Sequence, residues 1–172
     1  MDFYKLIEQR ETIRKFNPSK KISDEVLNRI LNAGRLAPSA SNRQPWTFVL
    51  VTTHKKLSQV KASYGREWFQ KTPYILVVVG DKTKSWIRPK DGYNSIETDL
   101  AIAMDHMILA AENEGVGACW VIAFDYELLA KAIGLKQHEV VYCMAALGYP
   151  PDGFKKQDNK KRKPLEEVVR RI

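Results

Sequence analysis

Arg10, Thr12 and Arg14 alternate along a stretch whose residue pattern reads as extended backbone. In an extended chain alternate side chains project to one side, so two guanidiniums and a hydroxyl can meet one ligand. A guanidinium presents a planar fork of donors that matches phosphate oxygens. The spacing therefore points to anion binding, and solvated arginines at a helix end fit the same pattern. A second polar group sits in Pro38-Ser39-Ala40-Ser41-Asn42-Arg43-Gln44-Pro45. Its two prolines stiffen the segment, while Ser39, Ser41, Asn42 and Gln44 can hydrogen-bond a polar ligand; an ordinary helix-to-strand turn is the alternative. A third group is basic: Lys155-Lys156 and Lys160-Lys161-Arg162-Lys163.

None of these groups brings a nucleophile. The chain has no phosphate loop of the G-x-x-x-x-G-K-[ST] type, and its close glycine pair, Gly115-x-Gly117, follows a helical pattern instead of opening one. No G-x-S-x-G elbow and no H-E-x-x-H occurs. Cys119 and Cys143 lie in apolar surroundings and read as small buried hydrophobes. His54, His106 and His138 are too scattered for a ligand cluster, so no metal is expected. The net charge of +8 suits a phosphorylated cofactor or an anionic substrate as well as nucleic acid.

The elements that must position these residues follow from local signals. Asp2 caps a first helix with Phe3, Leu6 and Ile7 on one face, and residues 11–18 run extended to Asn17-Pro18. Ser23 opens a second helix with Asp24 and Glu25 in its first turn and Val26, Leu27, Ile30 and Leu31 on the buried face. Strands are expected at Trp46–Val51, Tyr74–Val79, Ala118–Ile122 and Val140–Leu147. Helices are expected over 54–62, 66–70, 96–114 and 126–133, with a polar loop over 82–94. In the long helix, Glu97 and Asp99 suit the dipole and Met104 and Met107 suit packing, so neither pair needs a chemical role. Trp46 and Trp120 read as core aromatics.

At 172 residues, 44% hydrophobic and 28% charged, the chain is expected to fold as one domain. No apolar run is long enough to span a bilayer and the N-terminus lacks a signal-peptide layout, so a cytoplasmic location is expected. The interspersed helices and strands give an α+β or α/β class, with a central sheet covered on both faces. Residues 150–172 form a basic tail with an apolar end, suited to packing along another surface such as a second subunit.

Three separated pieces resemble the FMN-dependent nitroreductase family. Arg10-Glu-Thr-Ile-Arg14-Lys-Phe16 is similar to its opening R-x-S/T-x-R-x-F, and Pro38 to Trp46 to its P-S-x-x-N-x-Q-P-W. Leu109 to Trp120 is similar to its L-A-A-x-x-x-G-x-G-x-x-W, and Ala146–Pro150 and Lys160–Val169 match its ending. The resemblance implies an α+β sandwich, a mixed central sheet flanked by helices in an intertwined homodimer. It further implies that Arg10 and Thr12 hold the FMN phosphate with Lys160 and Arg162, and that Arg14 approaches the pyrimidine edge of the flavin. Pro38, Ser39, Ala40 and Asn42 would reach the flavin from the partner subunit, with backbone at Ile122 and Ala123 beside its redox-active nitrogen. Ala123 stands where relatives often carry glycine, and 82–95 offers little chain for a lid.

The implied activity is two-step: NADH or NADPH reduces FMN, leaves, and is replaced by a small electron-poor acceptor such as a nitroaromatic or quinone. No side chain is assigned as catalytic, because the flavin carries the electron chemistry. Two other readings stand beside it: a flavin-binding sensor or carrier without turnover, and a nucleic-acid-binding protein using the basic tail, for which no recognised motif is present.

Overall fold

The computed structural model describes residues 2–157 and 160–172. Its sheet has four antiparallel strands in the order β1 (Trp46–Val51), β2 (Tyr74–Asp81), β4 (Glu139–Gly148) and β3 (Gly117–Val121). A parallel bridge from Thr12 to Ala118 adds the N-terminal arm beyond β3, which makes the sheet mixed.

Both faces of the sheet are buried, and alternation decides which side chain goes where. Leu76, Val78, Cys143, Ala145 and Leu147 face one core, beneath α2 (Asp24–Arg35) and α5 (Ile96–Asn113). Ile75, Val77, Val79, Met144 and Ala146 face the other, beneath α3 (His54–Lys61), α4 (Glu67–Gln70) and α6 (Tyr126–Ile133). A register shift between Val78 and Val79 gives β4 one unpaired residue, Tyr142, and keeps the alternation in phase on either side. Cys119 and Cys143 are free, buried and assigned to opposite cores.

Asp2 and Ser23 open their helices as expected, and α6 is opened and closed by local signals of its own. The Asp2 carboxylate accepts from the N–H groups of Tyr4 and Lys5 to cap α1 (Phe3–Gln9); Ser23 caps α2 and Asp125 caps α6. Gly134 closes α6 in the left-handed conformation. In α2 the buried residues are Leu27, Ile30 and Gly34; Val26 and Leu31, expected inside, only rim the contact because the buried stripe is one residue wide per turn. Trp46 and Trp120 are likewise half-buried, at the margin of the core. No described helix is long and apolar enough to cross a membrane.

Candidate functional site

The N-terminal arm is laid against the sheet where β3 and β4 carry facing glycines. Gly117 pairs with Gly148, and a Cβ on Gly117 would stand 2.8 Å from the Ile13 Cβ. A Cβ on Gly148 would stand 2.8 Å from the Phe16 ring and from Pro73. The missing side chains leave a channel that Ile13 and Phe16 fill. Ile13 N–H donates to the Ala118 carbonyl at 2.9 Å, and Asn17 N–H to the Tyr149 carbonyl at 2.8 Å. Ile13 points into the protein, so Thr12 and Arg14 on either side of it point out.

Those outward side chains line an open groove of about 530 Å³. Arg10, Thr12 and Arg14 form one wall; Lys155, Lys160 and Arg162 from the tail form the other. A neighbouring groove of about 550 Å³, bordered by Ile7 and Glu8 of α1, shares Lys160 and Arg162 with it. Among the described residues the tail is held by an exposed ion pair from Lys20 to Asp152 at 2.7 Å and at three further points. Lys156 donates to the Glu112 carboxylate, Gln157 N–H to Glu11 Oε2 at 3.0 Å, and the Lys160 ammonium to the Arg10 carbonyl at 2.7 Å. Desolvation, with Arg10 and Arg162 as like-charged neighbours, pulls the Lys160 ammonium below the usual lysine range. Cations crowded in this way, with Glu11 as the one carboxylate among the described residues that line the groove, form a donor set that fits a phosphate.

Arg14 has a second neighbour. Its guanidinium stands 5.8 Å from the Trp68 ring centroid, a cation–π distance, and Trp68 is held edge-on by Tyr64 and Phe69. Burial pushes the Cys119 thiol up, and the nearby Arg14 guanidinium partly offsets this.

The segment Pro38–Asn42 does not line this groove. Ala40–Asn42 forms a short 3-10 turn, and Ser41, Asn42 and Gln44 adopt φ of 51°, 52° and 49°. Three non-glycine residues in the left-handed region store strain, which neighbouring groups must hold in place. The Ser39 hydroxyl accepts the Gln44 N–H at 2.9 Å, and the buried Asp99 carboxylate accepts the Ala40 N–H at 2.9 Å. Ser41, Asn42 and Gln44 are exposed, free to meet something outside this chain.

Ile122 and Ala123 follow the end of β3 and are exposed, Ile122 at 61%. They too lie outside the groove lining. Phe3 and Tyr4 on α1 are 58% and 71% exposed, and Leu165, Val168, Val169 and Ile172 of the tail are also uncovered. Residues 86–95 fold back on themselves through an Ile87–Asn94 bridge and an Arg88–Asp91 ion pair, leaving little chain to reach over a ligand.

Several contributors went unforeseen, among them Glu11, which accepts from Gln157, and Trp68, beside Arg14. Asp99, assigned only to the helix dipole, anchors the 38–44 loop; Glu112, given no role, anchors the tail. Among the described residues no group of three or more His, Cys, Asp or Glu is placed to hold a metal ion.

Comparison with known proteins gives one consistent picture. The model of the nitroreductase family matches residues 7–70 and 56–149. A protein of Archaeoglobus fulgidus, provisionally named NADH dehydrogenase/NAD(P)H nitroreductase, is 32% identical over 86% of this chain and 85% of its own. The crystal structure of a nitroreductase family protein from Clostridium difficile 630 superposes with a TM-score of 0.90 at 27% identity, covering 99% of this chain and 98% of that one. A provisionally named nitroreductase from Desulfovibrio desulfuricans, solved in complex with FMN, gives a TM-score of 0.81 at 25% identity over 98% and 95% of the two chains.

Proposed function

This chain belongs to the nitroreductase family, and on that premise we propose that it is an FMN-dependent oxidoreductase working as a homodimer. One observation carries the cofactor assignment: Arg10 and Thr12 share a groove with Lys160 and Arg162, a donor set that fits a phosphate. FMN held there would supply the electron chemistry, linking hydride donation by NADH or NADPH to the reduction of an electron-poor acceptor such as a nitroaromatic or quinone in two half-reactions.

The protein's part is placement and electrostatics. Arg10, Thr12, Lys160 and Arg162 hold the phosphate by charge-assisted hydrogen bonds. Arg14, steadied on Trp68, sets positive charge beside the pyrimidine edge, where charge accumulates on reduction, and so favours the reduced form. Pro38, Ser39, Ala40 and Asn42 would contact the flavin held by a second copy, and the backbone of Ile122 and Ala123 would contact its ring. The strained, Asp99-anchored loop and the exposed apolar residues of α1 and of the tail's α7 (Leu165–Val168) support this arrangement. The cytoplasm, with its nicotinamide pool, is the matching location.

The test is a visible spectrum of protein reconstituted with FMN and desalted, followed by anaerobic addition of NADH and NADPH. A retained flavin spectrum that bleaches supports the reductase. A retained flavin that neither donor bleaches leaves a carrier or sensor, and a colourless protein ends the FMN reading.

A further inference from the structure

Nearly every described residue of the tail from 152 onward is exposed, so apolar burial within this chain does little to fix where Lys160 and Arg162 stand. The fixing contact is ionic and unusually sited. Glu112 lies in the last turn of α5, at the negative end of the helix dipole, where a carboxylate is disfavoured. It is nonetheless only 7% exposed. A buried charge there needs a cation, and Lys156 supplies it across 44 positions of sequence. From Lys156 the contacts run on: Gln157 N–H to Glu11, then Lys160 to the Arg10 carbonyl inside the groove.

We propose that the Glu112–Lys156 pair is a latch that positions the tail's cations over the phosphate half of the cofactor site. The proposal rests on the FMN reading above, and Glu112 and Lys156 act through Lys160 and Arg162 without touching the flavin themselves. Their contribution is therefore confined to ligands that carry the phosphate.

The experiment compares FMN with riboflavin, which lacks the phosphate, by quenching of flavin fluorescence on titration into wild-type protein, Glu112→Gln and Lys156→Met. In both variants FMN affinity should fall about tenfold, the order of one lost charge-assisted hydrogen bond, while riboflavin affinity stays at the wild-type value. Lys156→Arg, which keeps the cation, should restore most of the FMN affinity. Equal losses for both flavins would overturn the proposal, because a merely structural contact weakens the whole site. Unchanged FMN affinity in both variants overturns it as well. Wild-type protein that binds neither flavin overturns the cofactor reading itself, and the latch with it.

Discussion

Asp99 and Ala40 are joined by a hydrogen bond that links the middle of the molecule to its most strained segment. The Asp99 carboxylate, 2% exposed in α5, accepts the Ala40 N–H at 2.9 Å through one oxygen and the Ser95 hydroxyl at 2.8 Å through the other. The residues that follow Ala40 include three left-handed non-glycine positions. Asp99→Ala should lower stability by about 1–3 kcal/mol in urea unfolding, the range for stranding a buried donor. Asp99→Asn, whose amide can still accept from Ala40 and donate to Ser95, should cost much less. Equal losses in the two variants would show that the hydrogen bond is not what holds the loop.

The facing glycines make a separate prediction about the N-terminal arm. Gly117→Ala places a methyl 2.8 Å from the Ile13 Cβ, so the arm carrying Arg10, Thr12 and Arg14 must shift. Overpacking of this kind costs about 1–3 kcal/mol, and FMN affinity should fall with it. Gly115→Ala is the control: it has φ of +71° and no atom within 4 Å of the new methyl. It should cost about 1 kcal/mol of stability from left-handed strain and leave FMN affinity intact.

If Lys160 holds the FMN phosphate as proposed, flavin binding should depend on pH. Its pKa in the free protein is lowered, first by desolvation and then by Arg10 and Arg162. A lysine lowered in the fold loses its proton at a pH where the unfolded chain keeps it, so the penalty for holding the charge is felt below that pH and lifts as pH rises. A bound phosphate dianion reverses the shift by favouring the ammonium. FMN binding should therefore be accompanied by proton uptake on the alkaline side, and FMN affinity should decline as pH rises through the pKa of free Lys160. Calorimetry in two buffers of different ionisation heat reads the uptake directly, and Lys160→Met should abolish it.

Neither cysteine should react in the native protein. Burial pushes the Cys143 thiol up to about 12 and raises Cys119 as well, so neither is a thiolate near neutrality. Titration with an aromatic disulfide reagent should count almost no thiols before denaturation and two after it. Rapid labelling of the folded protein would show that the sheet opens at β3 or β4.

Much of the fold was legible because its signals are local. The YILVVV run and the caps Asp2 and Ser23 each announce an element within a few residues, and each is where it was expected. The cation set of the groove was legible too, through resemblance more than spacing, since Arg10 and Lys160 carry no mark of each other. What escaped was every pairing fixed by distant chain. Asp99 looks like a dipole-complementing acid, and only Ala40, 59 positions earlier, reveals its work. Glu112 is a polar letter in an apolar helix until Lys156 arrives. The left-handed Ser41, Asn42 and Gln44 gave no warning either, because glycine is the usual marker of that conformation.

The contact between Lys160 and the Arg10 carbonyl spans 150 positions, nearly the whole chain. Closing so long a loop is entropically costly, so the groove is expected to form late, after the sheet and helices have set. During synthesis, Arg10 and Thr12 leave the ribosome long before Lys160 and Arg162, so a nascent chain holds only half of the groove's cation set. On the proposed cofactor reading, a chain truncated before residues 160–162 should fold in outline and yet bind FMN far more weakly than the full chain.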